Sequence, residues 1–392
     1  MRNMIFIVGL VAIAIEGAGQ DLDSLLSSVE QKNLRIAAMQ KFTDAEQAGL
    51  KTDIYPDNPL VTYKYLWGDN GAAGNLQEFE VVQPFRAPGY YTSKADIKKQ
   101  QFLQVNLMAG MEKQEVLHNA RSVYFDIVRL EQKKLLLKNL KTETGRLTEM
   151  MKAGFEAGEF SKPVYDKAQI LNIKVQNDFQ KTVSDIAVLR EQLWQINGGS
   201  SLEKLVFQYP ENWLLPQYDS LVSRVKAQNQ ALLMAAAGTG EAEARIRFEK
   251  KNTLPVFEAG YKSESVANQH LRGVHGGITL PLWQNSNRVK QARLKAEVSK
   301  AVYRQTENGL AAETATLYNN AQSLQNNMLQ IKEVLGNEEV ISGALELLQA
   351  GQISFQEYLA EVQFLLDTKL SVIEMECDYF KTLSGIKLKG GF

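Results

Sequence analysis

Cysteine is nearly absent. Cys377 is the single one in 392 residues, so an intrachain disulfide framework is excluded. Histidine is almost as scarce: His118, His270 and His275 stand in no Cys/His array with metal-ligand spacing, and no metal site is expected. Neither charge sign dominates, with 44 basic against 45 acidic residues, which excludes the basic excess of a nucleic-acid binder. Past residue 19 no 18-residue apolar run occurs, so any later passage through a membrane must be made by a closed β-barrel. Catalytic signatures are missing too: there is no Gly-x-Ser-x-Gly, no Walker loop and no His-Glu-x-x-His. The glycine-rich segment Gly68–Gly74 lacks a following Lys-Ser/Thr and reads as a loop. No enzyme activity and no cofactor is expected.

The N-terminus carries what the rest lacks. Arg2 precedes an apolar run from Met4 to Ile15, then the small residues Gly17, Ala18 and Gly19. This is the layout of a secretory signal peptide over residues 1–19, cut after Ala18 or Gly19. Twelve apolar residues are too few to span a bilayer, which needs about 20. With no cysteine at the cleavage region, no N-terminal lipid is expected.

Proline is absent between Pro88 and Pro163, and again from Pro281 to the end. Such stretches permit long helices. From Gly89 to about Lys152 the chain is rich in helix formers, with Val123, Ile127 and Leu130, then Leu137, Leu140, Thr144, Leu147 and Met151, at three- and four-residue steps. About 64 residues would make a rod of roughly 96 Å. Leu359, Val362, Leu366, Lys369, Ile373, Glu376, Phe380 and Leu383 form a heptad seam interrupted by two charges, read as solvated or register-setting. Met108, Met111, Met150 and Met151 read as core filling rather than soft-metal ligands.

Four segments alternate with period two, and each approaches the 9–11 residues of a transmembrane strand. In Leu60–Trp67, Val61, Tyr63 and Tyr65 oppose Thr62 and Lys64. In Leu76–Phe85, Phe79, Val81 and Phe85 oppose Glu78 and Glu80. In Val256–Glu264, Phe257, Ala259 and Tyr261 oppose Glu258, Lys262 and Glu264. In Val274–Leu282, Val274 and Ile278 oppose His275 and Thr279. A half-buried soluble sheet alternates in the same way. Four strands cannot close a barrel, but three copies would supply twelve.

The chain also repeats itself. Gln83-Pro84-Phe85 returns as Leu280-Pro281-Leu282, and Gly158-Glu159-Phe160-Ser161 as Gly351-Gln352-Ile353-Ser354. Residues 20–197 and 217–392 therefore each read as helix, strand pair, long helix, tight turn and returning helix, joined by a loop-like linker at 198–216. Leu22–Lys51 and Asp219–Lys251 are expected as the helices that feed the strand pairs. Strands are expected over about 59–85 and 255–283, and helical hairpins over 89–197 and 284–386.

On these features the chain resembles the TolC family of outer-membrane efflux proteins over almost its whole length. The proline junctions Pro84 and Pro281 and the Ala-Gly-x-x-Ser turns with their following helices carry the likeness. Asn58-Pro59 and Val82-Gln83-Pro84-Phe85 resemble the heavy-metal (Czc/Cus-type) branch. Arg86-Ala87-Pro88-Gly89-Tyr90 departs from the Leu-Gly-Gly-Lys-Arg usual there. The resemblance implies a mainly α fold with membrane β: twice-repeated helical hairpins plus four strands per chain, trimerising into a 12-stranded barrel on a helical tunnel. It further implies a homotrimer in the outer membrane of a Gram-negative bacterium, in contact with its lipid. A periplasmic adaptor and an inner-membrane pump of RND type would be its partners.

Candidate functional residues gather at the turns. Gly158, Ser161, Gly351 and Ser354 are read as turn and adaptor-docking positions, with Ser354 able to cap the returning helix. Glu357 and Glu361, one helical turn apart, would put six carboxylates around the entrance of a trimer. Similar proteins carry two acidic residues three apart here; Glu357 matches the first, and Glu361 stands one beyond the second, which is Ala360. The plainer reading is a cap. For the whole chain the alternative to an export duct is a secreted periplasmic coiled-coil adaptor or scaffold.

Overall fold

The computed structural model describes residues 19–52, 54–68, 74–203, 205–266, 269–283, 285–335 and 340–390. In chain order the elements are α1 (Gly19–Lys32), α2 (Leu34–Leu50), β1 (Leu60–Leu66), β2 (Leu76–Phe85), α3 (Tyr90–Glu156), α4 (Lys162–Ile196), α5 (Tyr218–Gln228), α6 (Gln230–Asn252), β3 (Val256–Val266), β4 (Gln269–Thr279), α7 (Arg288–Leu335), α8 (Val340–Gln349) and α9 (Phe355–Gly390). The signal-peptide reading over residues 1–19 lies outside the described residues except for Gly19, the first residue of α1, and most of the Gly68–Gly74 loop lies outside them too.

α3 has 67 residues, a rod of about 100 Å. Val123, Ile127, Leu130, Leu137, Leu140, Thr144, Leu147 and Met151 are all buried along it. The core is divided among three clusters strung along the rod. One joins α1 and the middle of α3 to the linker, with Tyr209 stacked on Phe380 at 4.4 Å. Another fills the hairpin end around Leu147, Met151, Tyr358 and Val362. The third joins α5, α7 and α9 around Leu221, Leu310 and Leu383.

Three sequence expectations are corrected. The helices feeding the strand pairs are not continuous: each breaks at an asparagine, Asn33 and Asn229, held in extended backbone. Asn33 Oδ1 accepts the N–H groups of Arg35 and Ile36, and its amide donates to the Ile196 carbonyl at 2.7 Å. Asn229 does the same work, accepting from Leu232 and donating to the Lys389 carbonyl at 3.0 Å. Each side chain thus caps one helix and satisfies an orphan carbonyl at the end of another. Gly198 completes the first tie: a Cβ there would lie 2.2 Å from the Lys32 carbonyl oxygen.

The seam of α9 is turned from its expected position. Tyr358, Val362, Leu365, Val372, Tyr379, Leu383 and Ile386 are buried, whereas Leu359, Leu366, Ile373 and Phe380 are half-buried. α9 packs against both α3 and α7, so its buried arc lies between two contact lines and not along one. Lys369 and Glu376 lie on the half-buried side. Glu376 ties three helices, accepting from Gln132 of α3 at 3.0 Å and pairing with Lys332 of α7 at 3.0 Å.

β4 begins five residues earlier than expected and ends at Thr279, because it is fixed by its partner: Val266 faces Gln269 and Val256 faces Thr279. The sheet order is β1-β2-β3-β4, antiparallel throughout. Pro84 lies where β2 is paired with β3 alone, since β1 starts with Leu60 opposite Val82. No ladder bond to β1 is lost there. Pro281 stands just past β4, before α7.

Candidate functional site

The sheet has two unlike faces. The register puts Val61, Val81, Tyr261 and Val274 in one row, and Phe85, Phe257 and Ile278 in another on the same face. Val81 is half-buried, and the rest of this face is uncovered: Val61 is 60% exposed, Tyr63 63%, Val274 88% and Ile278 55%. The opposite face carries charge. Glu78, only 8% exposed, lies 3.1 Å from the Lys64 ammonium and 3.5 Å from that of Lys262. Lys262 also reaches Glu264 at 3.8 Å, and His275 Nε2 stands 3.6 Å from Glu80. A water-soluble sheet buries its apolar face and wets its polar one. This sheet leaves its apolar face uncovered, as the wall of a membrane barrel does. Among the described residues β1 and β4 each leave one edge unpaired.

At the far end of the rod the hairpins reverse at matched turns. Gly158 and Gly351 both adopt left-handed backbone, φ 81° and 69°, open to glycine without steric cost. Gly351 N–H bonds to the Leu348 carbonyl at 3.0 Å, and Gln352 N–H to that of Leu347 at 2.9 Å, closing the last turn of α8. Ser161 precedes α4 without a side-chain cap bond, and Pro163 occupies its first turn. Ser354 and Glu357 form a reciprocal capping box: Ser354 Oγ accepts from Glu357 N–H at 3.3 Å, and Glu357 accepts from Ser354 N–H at 2.7 Å. That bond from the Ser354 backbone holds the Glu357 carboxyl below the ordinary carboxylate range. Glu361 is exposed one turn further on. At the first turn Val164 is half-buried and Ala168 fully buried, so the acidic pair belongs to the second hairpin alone. Beneath it, burial foremost and then the Glu143 charge push the Tyr358 hydroxyl up to about 12.

Sequence reasoning missed the left-handed residues at the head of each long helix. Gly89 (φ 84°) precedes α3 and Asn287 (φ 63°) precedes α7. Their equivalence was legible in the 198-residue offset, close to that of the proline junctions. Asparagine is the residue after glycine that best tolerates this conformation.

The architecture matches solved membrane channels over nearly its full length. The chain superposes on CusC, a transmembrane channel protein, with a TM-score of 0.80 at 14% identity, covering 96% of this chain and 95% of that one. The chain has the fold of an outer-membrane channel. The outer-membrane protein VceC from Vibrio cholerae gives 0.77 at 12% identity over 94% and 96% of the two chains. The open state of the Neisseria gonorrhoeae outer-membrane channel MtrE gives 0.68 at 13% identity over 94% and 87%. The fold is thus shared with solved channels of equally distant sequence and does not single out the heavy-metal branch. No protein-family model and no curated protein sequence matches the chain.

Proposed function

We propose that the chain is one third of an outer-membrane exit duct, a passive conduit through which a tripartite efflux system discharges small molecules or metal ions. The observation that carries this is the two-faced sheet: an uncovered apolar face, a charged face with Glu78 between two lysines, and two open edges. Open edges are untenable in lipid, so the four strands require other copies. Three copies make the twelve strands of a barrel. The charged face then lines the lumen and the apolar face meets lipid. The adaptor reading fits less well, because a soluble sheet would have its apolar face covered.

The helical rods extend from the barrel into the periplasm, and the turns at Gly158–Ser161 and Gly351–Ser354 dock a periplasmic adaptor. An inner-membrane pump of RND type supplies the energy, since no residue set for bond chemistry is expected in the chain. Glu357 and Glu361 form the acidic ring at the entrance, where three-fold symmetry multiplies each charge. Mass measurement of the detergent-purified protein should give three chains per particle. A stable monomer in mild detergent refutes the duct.

A further inference from the structure

Three segments lie directly against the helix side of the sheet: residues 86–99 after β2, 245–251 before β3 and 285–296 after β4. Together they hold twelve Lys and Arg against two acidic residues, Asp96 and Glu249, in a chain whose net charge is −1. Lys99, Lys250, Lys251, Arg288, Lys290 and Arg293 are exposed. The segments are tied into one layer: Tyr90 packs on Phe248 at 5.1 Å, and Asn285 donates to the Asn252 carbonyl at 2.7 Å. Just above them stand exposed apolar residues, among them Trp283 at 79% and Leu282 at 73%.

Helix electrostatics does not account for this collar. Lys250 and Lys251 suit the C-terminal end of α6, but Arg288 and Lys290 occupy the first turn of α7, where the dipole disfavours cations. Arg288 and Lys295 share a groove with Glu241 and Glu249 of α6, while Lys290 and Arg293 are exposed in the same turns. At 1.5 Å per helical residue, Lys295 lies about 10 Å below the head of α7 and Lys99 about 13 Å below that of α3. That depth matches a headgroup layer plus roughly one Debye length.

We propose that this collar binds the anionic phospholipid headgroups of the periplasmic leaflet, with Trp283 in the interfacial layer above it. The inference rests on the barrel reading. The probe is the full chain reconstituted in mixed vesicles of phosphatidylcholine and phosphatidylglycerol, in which one lipid or the other carries dibrominated acyl chains that quench nearby tryptophan. Trp67→Phe leaves Trp283 as the reporter beside the sheet, while Trp194 and Trp213 lie away from it on α4 and the linker. Quenching by phosphatidylglycerol should exceed that by phosphatidylcholine at least about five-fold in apparent affinity, the effect of one cation beside a charged membrane surface. High salt should weaken the preference.

Arg288→Gln, Lys290→Gln and Arg293→Gln together should bring the two lipids level while the particle mass is unchanged. Lys167→Gln, Lys174→Gln and Lys181→Gln on α4, an equal charge loss far from the sheet, should leave the preference intact. Equal quenching of the unmutated collar by both lipids overturns the collar and leaves the barrel standing. Loss of preference in the α4 variant also overturns it, since total charge would then suffice. Absence of quenching by either lipid overturns the barrel reading on which it rests.

Discussion

Arginine at Val81 tests which face of the sheet meets lipid. Val81 is the sixth of the ten residues of β2, near mid-membrane if the strand spans, with Val61 on one side and Tyr261 on the other. A guanidinium on the lipid face there should cost about 2–4 kcal/mol per chain. That corresponds to a roughly 30- to 1000-fold shift in the folding equilibrium. The matched control is Thr62→Arg, on the opposite face and directly across from Glu80. Its new cation gains a cross-strand carboxylate and should change stability by no more than about 1 kcal/mol. Urea titration of refolding into phospholipid vesicles, read by tryptophan emission and trimer yield, compares the two. Val81→Arg should shift the midpoint strongly downward and Thr62→Arg hardly at all. Equal midpoints, or greater damage from Thr62→Arg, would refute the assignment of faces.

Other outcomes follow from the ties and turns. Asn33→Ala or Asn229→Ala should lower stability by about 1–3 kcal/mol, from a lost cap and an unpaired carbonyl. Asn→Asp keeps the cap but not the donor and should recover part of it in thermal melts. Gly351→Ala or Gly158→Ala should cost about 1–2 kcal/mol, because φ is positive at both positions. Glu357 titrates below its ordinary 4.5 when folded, so its contribution to the α9 cap is present above that pH and lost as pH falls through the lowered value. Hydrogen-exchange protection at 355–360, taken relative to the intrinsic rate at each pH, should fall in acid, and Glu357→Gln should remove that fall; unchanged protection across this range counts against the capping box. Glu357→Gln with Glu361→Gln should reduce cation preference in single-channel recordings with trimer yield unaltered, whereas intact selectivity moves the ring elsewhere.

The sequence by itself determined the parts whose physics is local. Period-two alternation in Leu76–Phe85 marks β2 and divides Val81 from Glu80, because successive strand side chains must point to opposite faces. The long proline-free interval after Pro88 marks α3, and the Gly351-to-Ser354 pattern marks a turn, because left-handed backbone and helix caps restrict residue choice within a few positions. What only the tertiary structure decided depends on groups far along the chain. Asn33 reads as one polar residue inside a helical pattern until the Ile196 carbonyl, 163 residues away, gives its amide a partner and makes the break favourable. The same holds for Asn229 and the carbonyl of Lys389. The seam of α9 shifted because two neighbours share it, and the limits of β4 were set by pairing with β3. The basic collar is four cations here and four there in the sequence. It becomes one surface only when the ends of α3, α6 and α7 are gathered at the same end of the sheet.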